Sequence, residues 1–551
     1  MGSEEEGLSA TAYRRAPAWA RLALLAAGVV LLPILAVAAA AVTPAGDVWL
    51  HIWRSSLPDF LGNTLLLALL VALMAGSAGA VTAWLVTACR FPGRDLLQWA
   101  LLLPLAMPAY VSGYAWVWLM DVAGPAQRGL RAVTGWHYGD YWLPEIRSLG
   151  GAAMVLAMVL YPYVYLLCRA AFLAQSTCLV EVSRTLGHSL SRVFWHVALP
   201  LARPALAAGL LLVLMETLAD FGTVQHFGVR TFTTGIYEAW FAMADRGAAS
   251  QLALALLLCI TLLIGLEQAA RGGRRFHPMS TRQAPLRPVP LPGGKGVLAL
   301  LACLLPLALG FLVPAGALLG LMAEAGDPFD HDRYMPYLTH SLLLAAVTAA
   351  LAVLLAAWMA WAARMYPGAL ARMGNRAVAL GYAIPGSVIA VGTLVPFGLI
   401  DNALDGWARV HLGFGTGLLL SGTIVALVFA YLVRFLGVAL SSIESGIARL
   451  KPSVSAAARS LGAGPAGVAW RVELPLSRGA LATAAILVFV DTMKELPATL
   501  IVRPFDFDTL AVRVYNLATD ERLAEASTAA LLIVLVGLLP VIVLARAMKR
   551  E

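Results

Sequence analysis

Apolar runs of about twenty residues recur along the whole chain, and no other feature restricts its fold as strongly, because a stretch of that length is what a helix needs to cross a bilayer. In the first half they lie near residues 20 to 42, 61 to 89, 96 to 120, 150 to 173, 204 to 224 and 248 to 268. In the second they lie near 296 to 322, 338 to 363, 377 to 400, 414 to 438, 479 to 501 and 526 to 546. These runs predict an all-α polytopic membrane protein with about twelve transmembrane helices. Composition agrees, with 60% of residues hydrophobic and 13% charged, against about half and about a quarter in a soluble domain. The first run is longer than the apolar core of about 7 to 15 residues in a cleaved leader, and it is expected to be retained.

Twelve spans put both termini on one side. That side carries more than twice as many Lys and Arg as the other, which marks it as cytoplasmic and predicts a multi-pass protein of the bacterial inner membrane with both termini inside. The net charge of +8 follows from the same bias, so the lipid bilayer is the expected surroundings and no nucleic-acid partner is expected. The most basic loop, Arg271 to Lys295, is rich in Pro and Gly and reads as a linker (271–295) between a first unit (1–270) and a second (296–551). The five cysteines have no disulfide or zinc spacing and read as small apolar residues.

The two units are copies. At an offset of 275 residues, Leu186-Gly187 lies over Leu461-Gly462, Leu199-Pro200-Leu201 over Leu474-Pro475-Leu476, and Arg184 and Arg203 over Arg459 and Arg478. The match runs on, placing Glu216 over Asp491 and Asp220 over Glu495. At an offset near 277, Trp84 meets Trp361 and Pro108 meets Pro385. Six spans per copy return the chain to its starting side, so the repeats are parallel and related by an axis along the membrane normal.

The clearest repeated segments, 178–203 and 453–478, lie between the fourth and fifth spans of each half, on the cytoplasmic side. In the first, Leu186, Leu190, Val193, Phe194 and Val197 recur at helical spacing, which predicts a short amphipathic helix pair broken at Gly187. The second keeps Leu461, Val468 and Val472 but has Pro465 and Ala469 for Leu190 and Phe194. Either segment alone suits a helix lying on the lipid surface. Two copies with one Gly-to-Pro spacing suit a partner with two equivalent grooves.

Here the chain resembles the binding-protein-dependent ABC transporter permeases, whose cytoplasmic loop carries Glu-Ala-Ala, a nearby Gly and a downstream Leu-Pro. The first copy reads Glu181-Val182-Ser183 and then Gly187; the second reads Ala456-Ala457-Ala458 and then Gly462. The acid is missing from the second and the Ala pair from the first. Two six-span halves in one chain, with segments such as LPLAMPAYVSGYAW from Leu103 and METLADFGTVQHFG from Met215, are similar to the fused iron(III)-type permeases. The resemblance implies the type I importer fold, alternating access, a periplasmic substrate-binding protein, and two copies of a cytoplasmic ATP-binding subunit. Those subunits would be gripped through Glu181, Arg184, Leu186, Gly187, Leu190, Phe194 and Pro200 in one loop and Arg459, Leu461, Gly462, Val468 and Pro475 in the other. Glu181 and Phe194 facing Ala456 and Ala469 imply unequal grip. ATP and magnesium are then expected on the partners, with no cofactor here. The one stretch reminiscent of a phosphate loop, Gly293-Gly294-Lys295-Gly296, lacks the upstream Gly and the Ser or Thr.

Ionisable residues inside a span are costly, so Glu216, Asp220, Asp491 and Glu495 need a reason to be there. Glu216 is expected roughly 20 Å along the fifth span, with Asp220 one turn later on the same face. Four carboxylates about a pseudo-twofold axis suit a hard cation such as ferric iron, with Tyr110, Tyr114 and Tyr161 adding phenolic oxygens. Because a pathway must release its ion, no stably bound metal is expected. Pairing of these acids with neighbours such as Lys494, or with helix ends, is the structural alternative. Thiamine, a phosphonate or another small solute remain alternative cargoes. An ion-gradient-driven secondary transporter would leave the two loops unexplained, and the scattered histidines offer no enzyme site.

Overall fold

The computed structural model describes residues 18–41, 47–175, 183, 185–271, 288–325, 331–365 and 368–548. Glu181, Arg184 and most of the linker lie outside them. Among the described residues, nine helices are long and apolar enough to cross a membrane, and three further bent pairs bring the number to twelve. The structure is all-α apart from one two-residue strand pair. There Cys89-Arg90 runs parallel to Val289-Pro290, and Leu291 N donates to Arg90 O at 3.0 Å, which ties the end of the linker to the first half.

Several spans differ from their apolar runs, and local chemistry accounts for each. The third is not one straight helix: Arg94–Ala106 meets Ala109–Thr134 at 93°, with Pro108 in extended backbone at the break. Pro385, its repeat mate, sits at the same kind of break between a 3₁₀ turn at Leu380–Ala383 and helix Gly386–His411. The tenth span starts at Ile424 and runs to Ala448, not from 414 to 438. The apolar stretch before it is a loop with left-handed Gly413, Gly417 and Gly422. Buried Asp401 holds that loop, accepting from Leu419 N at 3.1 Å, Leu420 N at 3.0 Å, Ser421 N at 2.7 Å and the Ser421 hydroxyl. These backbone amides have a carboxylate partner and need no helix.

The two halves interlock. The first span, Ala18–Ala41, packs against Gly386–His411 of the other half. In return the second unit's first span, Gly294–Glu324, lies on the first half, where Trp116 Nε1 donates to Leu309 O at 3.0 Å. Both crossings use glycine to bring backbones together. A methyl group on Gly310 would collide with the Met158 carbonyl, and one on Gly392 with the Pro33 carbonyl. A buried cluster joins the halves, with Met107, Tyr110, Tyr114 and Phe221 from one and Met493, Leu496, Leu510 and Tyr515 from the other.

Gly310→Ala is therefore expected to destabilise the purified protein by about 1–3 kcal/mol. Gly316→Ala in the same span, where nothing lies within 4 Å of the added carbon, should be neutral. Thermal unfolding of the two variants in micelles measures the difference, and equal midpoints would contradict the interlock.

Candidate functional site: an intramembrane cavity and two repeated loops

The site begins where the fifth and eleventh spans stop. Helices Arg203–Ala219 and Arg478–Lys494 are each 17 residues long. The next residues, Asp220 and Glu495, take extended backbone with ψ of 136° and 126°. Asp220 is thus not stacked one helical turn above Glu216; the helix has already ended. Its carboxylate reaches forward to cap the short helix Gly222–His226, accepting from Thr223 N (3.1 Å), Thr223 Oγ1 (2.9 Å) and Val224 N (3.1 Å). Glu495 repeats the arrangement on Pro497–Val502, accepting from Ala498 N (3.0 Å), Thr499 N (3.1 Å) and Thr499 Oγ1 (2.8 Å). Here the helix-end alternative describes the geometry: both carboxylates satisfy amide donors that a helix start leaves open.

All four acids nevertheless line one cavity of about 140 Å³, together with Tyr110, Tyr163, Tyr382, Arg434 and Lys494. Two carboxylates are committed to capping, which leaves Glu216 and Asp491 as the more open pair. Glu216 accepts from the Tyr382 hydroxyl at 2.6 Å. Asp491 lies 3.7 Å from Lys494 Nζ, which also donates to Leu105 O at 3.3 Å. Arg434 Nη1 is 3.5 Å from Glu495 Oε1. The Tyr110 hydroxyl is buried and has no hydrogen-bond partner among the described residues. Beyond Asp220 the cavity is roofed by Phe221, which packs on Tyr237 at 4.7 Å and on Tyr515, from the other half, at 5.9 Å.

Of the tyrosines named from sequence, only Tyr110 lines the cavity. Tyr114 sits behind it, 5.8 Å from its ring and 4.5 Å from that of His226. Tyr161 is fully buried and donates to Leu101 O at 3.0 Å, while Tyr163, two residues on, faces the cavity. Tyr163, Tyr382 and Arg434 escaped the sequence reading. At the repeat registers Arg434 falls over Val159 and Tyr382 over Leu105, so a search for duplicated polar residues passes over both. The available signal for Arg434 was a charge inside the run Ile424–Ala448.

The repeated loops fold alike. Gly187 and Gly462 both turn in the left-handed region, at φ of +83° and +86°. After each comes a short helix, capped in the first copy by Ser189 Oγ accepting from Arg192 N at 3.3 Å, and then a π-helical turn, Phe194–Ala198 or Ala469–Glu473. Leu186 (71% exposed), Leu461 (87%) and Arg459 face outward. Phe194 and Val468 instead turn inward: Phe194 packs on Trp84 at 5.7 Å and on Phe172 at 6.4 Å, and Val468 is fully buried. The large exposed residues of the two turns are Trp195 (59%) and Trp470 (62%), repeat mates at the 275 offset that the apolar-face pattern overlooked. On its buried side the second loop carries Glu473, which accepts from Ser455 Oγ at 2.6 Å and pairs with Arg364 Nε at 3.0 Å. The first loop has Ala198 there.

The comparisons bear on this duplicated architecture. The family described as binding-protein-dependent transport system inner membrane component matches residues 76–270 and again 344–551. The Fe(3+)-transport system permease protein FbpB 2 of Haemophilus influenzae is 28% identical over 96% of this chain and 98% of its own length. The molybdenum transport permease ModB of Escherichia coli is 29% identical over 36% of this chain and 86% of its own, and the sulfate transport permease CysT of Escherichia coli is 31% identical over 29% and 55%. With the match made twice, once in each interlocked half, the chain belongs to the binding-protein-dependent transport system inner membrane components: it is the multi-pass permease of an ABC importer, with two permease units in one polypeptide.

Proposed function

We propose that this permease conducts ferric iron, taking it from a periplasmic binding protein and driven by two copies of a cytoplasmic ATP-binding subunit that dock on the loops around Gly187 and Gly462. The supporting observation is the cavity between the halves, where Glu216, Asp491 and the unpartnered Tyr110 hydroxyl offer hard oxygen donors. A trivalent cation leaving a binding protein loses oxygen ligands, and carboxylate and phenolate are the groups that replace them. Anionic cargo would meet four carboxylates here, with Lys494 beside Asp491 and Arg434 beside Glu495. The relative that spans both halves is named for Fe(3+), while those named for molybdenum and sulfate match shorter segments.

In this reading both termini are cytoplasmic, ATP and magnesium belong to the partner subunits, and the chain hydrolyses nothing itself. The roof of Phe221, Tyr237 and Tyr515 lies on the far side of the acids from the docking loops, so it would separate the cavity from the periplasm until the halves move. Leu186 and Trp195, with Leu461 and Trp470, present matched apolar tips for two equivalent grooves.

Replacing Glu216 with Gln and Asp491 with Asn together keeps the shapes and removes the charge. Uptake of Fe(3+) into proteoliposomes holding the whole transporter should fall about tenfold or more while the complex still assembles. Undiminished uptake would remove this pair from the mechanism, and equal stimulation by molybdate or sulfate delivered on the binding protein would replace the cargo.

The docking surface has its own test. Trp195→Ala with Trp470→Ala should weaken capture of the ATP-binding subunits by about 2 kcal/mol or more, as buried interface tryptophans do. Gly187→Val with Gly462→Val forces a β-branched residue into left-handed backbone and should uncouple transport from ATP hydrolysis. Unchanged co-purification and unchanged stimulated ATPase activity in both pairs would place docking elsewhere.

A further inference from the structure

The two open carboxylates of the cavity are repeat mates, yet they are held by different chemistry. Glu216 accepts from a neutral phenol, Tyr382 Oη, at 2.6 Å. At the 277 register the mate of Tyr382 is Leu105, whose side chain has nothing to donate. Opposite Asp491 the missing donor is supplied from another direction. Lys494, one turn further along the same helix, lies 3.7 Å from Asp491 Oδ1 and donates to the backbone carbonyl of that same Leu105 at 3.3 Å. Its own repeat mate is Ala219, so this cation belongs to one half alone.

We propose that Lys494 is a tethered counter-ion. It occupies Asp491 when no cargo is present and yields to a hard cation as that cation arrives, so the cavity passes the ion without storing it. The role rests on the reading of the cavity as a cation path. Three features support it. The ammonium is long, flexible and only loosely paired, at 3.7 Å rather than the 2.7–2.9 Å of a tight charge-assisted bond. It is anchored by the Leu105 carbonyl, so on leaving Asp491 it keeps one partner. The other carboxylates are held by groups that stay where they are: Asp220 and Glu495 by helix amides, Glu216 by a phenol. Of the acids in the cavity, Asp491 is thus the one whose partner can swing away without breaking the fold. A multivalent ion displaces a single ammonium on charge alone, and the returning ammonium opposes tight retention.

The test uses Tb(3+), a hard trivalent probe whose luminescence is sensitised by nearby tyrosines, of which Tyr110, Tyr163 and Tyr382 line the cavity. The permease with its ATP-binding subunits, in nanodiscs, is titrated with Tb(3+). Lys494→Gln keeps a donor for Leu105 and loses the charge; it should bind about tenfold or more tightly than the unaltered protein. Lys494→Arg should stay close to the unaltered protein. Adding Asp491→Asn to Lys494→Gln should abolish the gain. Affinity in Lys494→Gln equal to or weaker than that of the unaltered protein, or a gain that survives Asp491→Asn, overturns the role. A purely structural lysine predicts the first of those results. Lys494→Met reads the same way if the Gln variant fails to assemble. Normal iron uptake by Glu216→Gln with Asp491→Asn would overturn the path and the counter-ion together; lost uptake there with unchanged Tb(3+) affinity in Lys494→Gln overturns the counter-ion alone.

Discussion

Where a helix ends inside an apolar layer, the amides and carbonyls released at the break need partners that water is not there to supply. The whole site follows from how this chain meets that requirement twice. At Asp220 and Glu495 a carboxylate bends across the break and takes the first amides of the next short helix. With the breaks stabilised, helices Arg203–Ala219 and Arg478–Lys494 can stop there and leave a cavity between them. Glu216 and Asp491, one turn earlier, then face that cavity and not a neighbouring helix. Close packing around the breaks keeps the space small. Gly222 leaves no room for a side chain beside Tyr110 and Leu496, and Gly386 none beside Glu495 and Arg434.

Duplication supplies the frame and divergence supplies the chemistry. Both halves give an acid at the Glu216 level and an acid at the Asp220 level. The second half alone gives the cations, Arg434 over Val159 and Lys494 over Ala219, and it also gives the phenol that holds Glu216. Four carboxylates sharing one small cavity without these groups would repel one another in a low-dielectric layer and carry an uncompensated desolvation cost. The asymmetry therefore follows from placing the acids close together, and it concentrates the charge-balancing residues in one half.

What the sequence revealed, and what it hid, follows the same division. Much of what is duplicated was legible: the six-plus-six arrangement, the Gly-to-Pro loops, and the pairing of Glu216 with Asp491, though not the exposed pair Trp195 and Trp470. Helix-end bonding of Asp220 was legible only as an alternative, and the break itself was hidden because Leu218-Ala219-Asp220-Phe221 continues the apolar helical pattern; the carboxylate there engages amides three and four residues on. The loop before Ile424 was hidden for a related reason, since Asp401, which holds it, lies almost twenty residues upstream. Phe194, expected to grip a partner, faces inward, and Trp195, to which the apolar pattern gave no role, is the exposed ring of the π-helical turn. Tyr382 and Arg434 had no repeat mate to give them away.

The two repeated loops match on one side and differ on the other. Their outward tips match, with Trp195 and Trp470 almost equally exposed. The difference is on the buried side. The first loop is seated by Phe194 among Trp84 and Phe172, and by Gln175 Nε2 donating to Ala198 O at 2.9 Å, all without a charged pair. The second is pinned by Glu473 to Arg364, whose guanidinium also donates to Ile447 O at 2.7 Å, so that one arginine ties helix His331–Met365, helix Ile424–Ala448 and the loop into a single body. The half that carries the charge-balancing residues is thus also the half whose repeated loop is held by an ion pair.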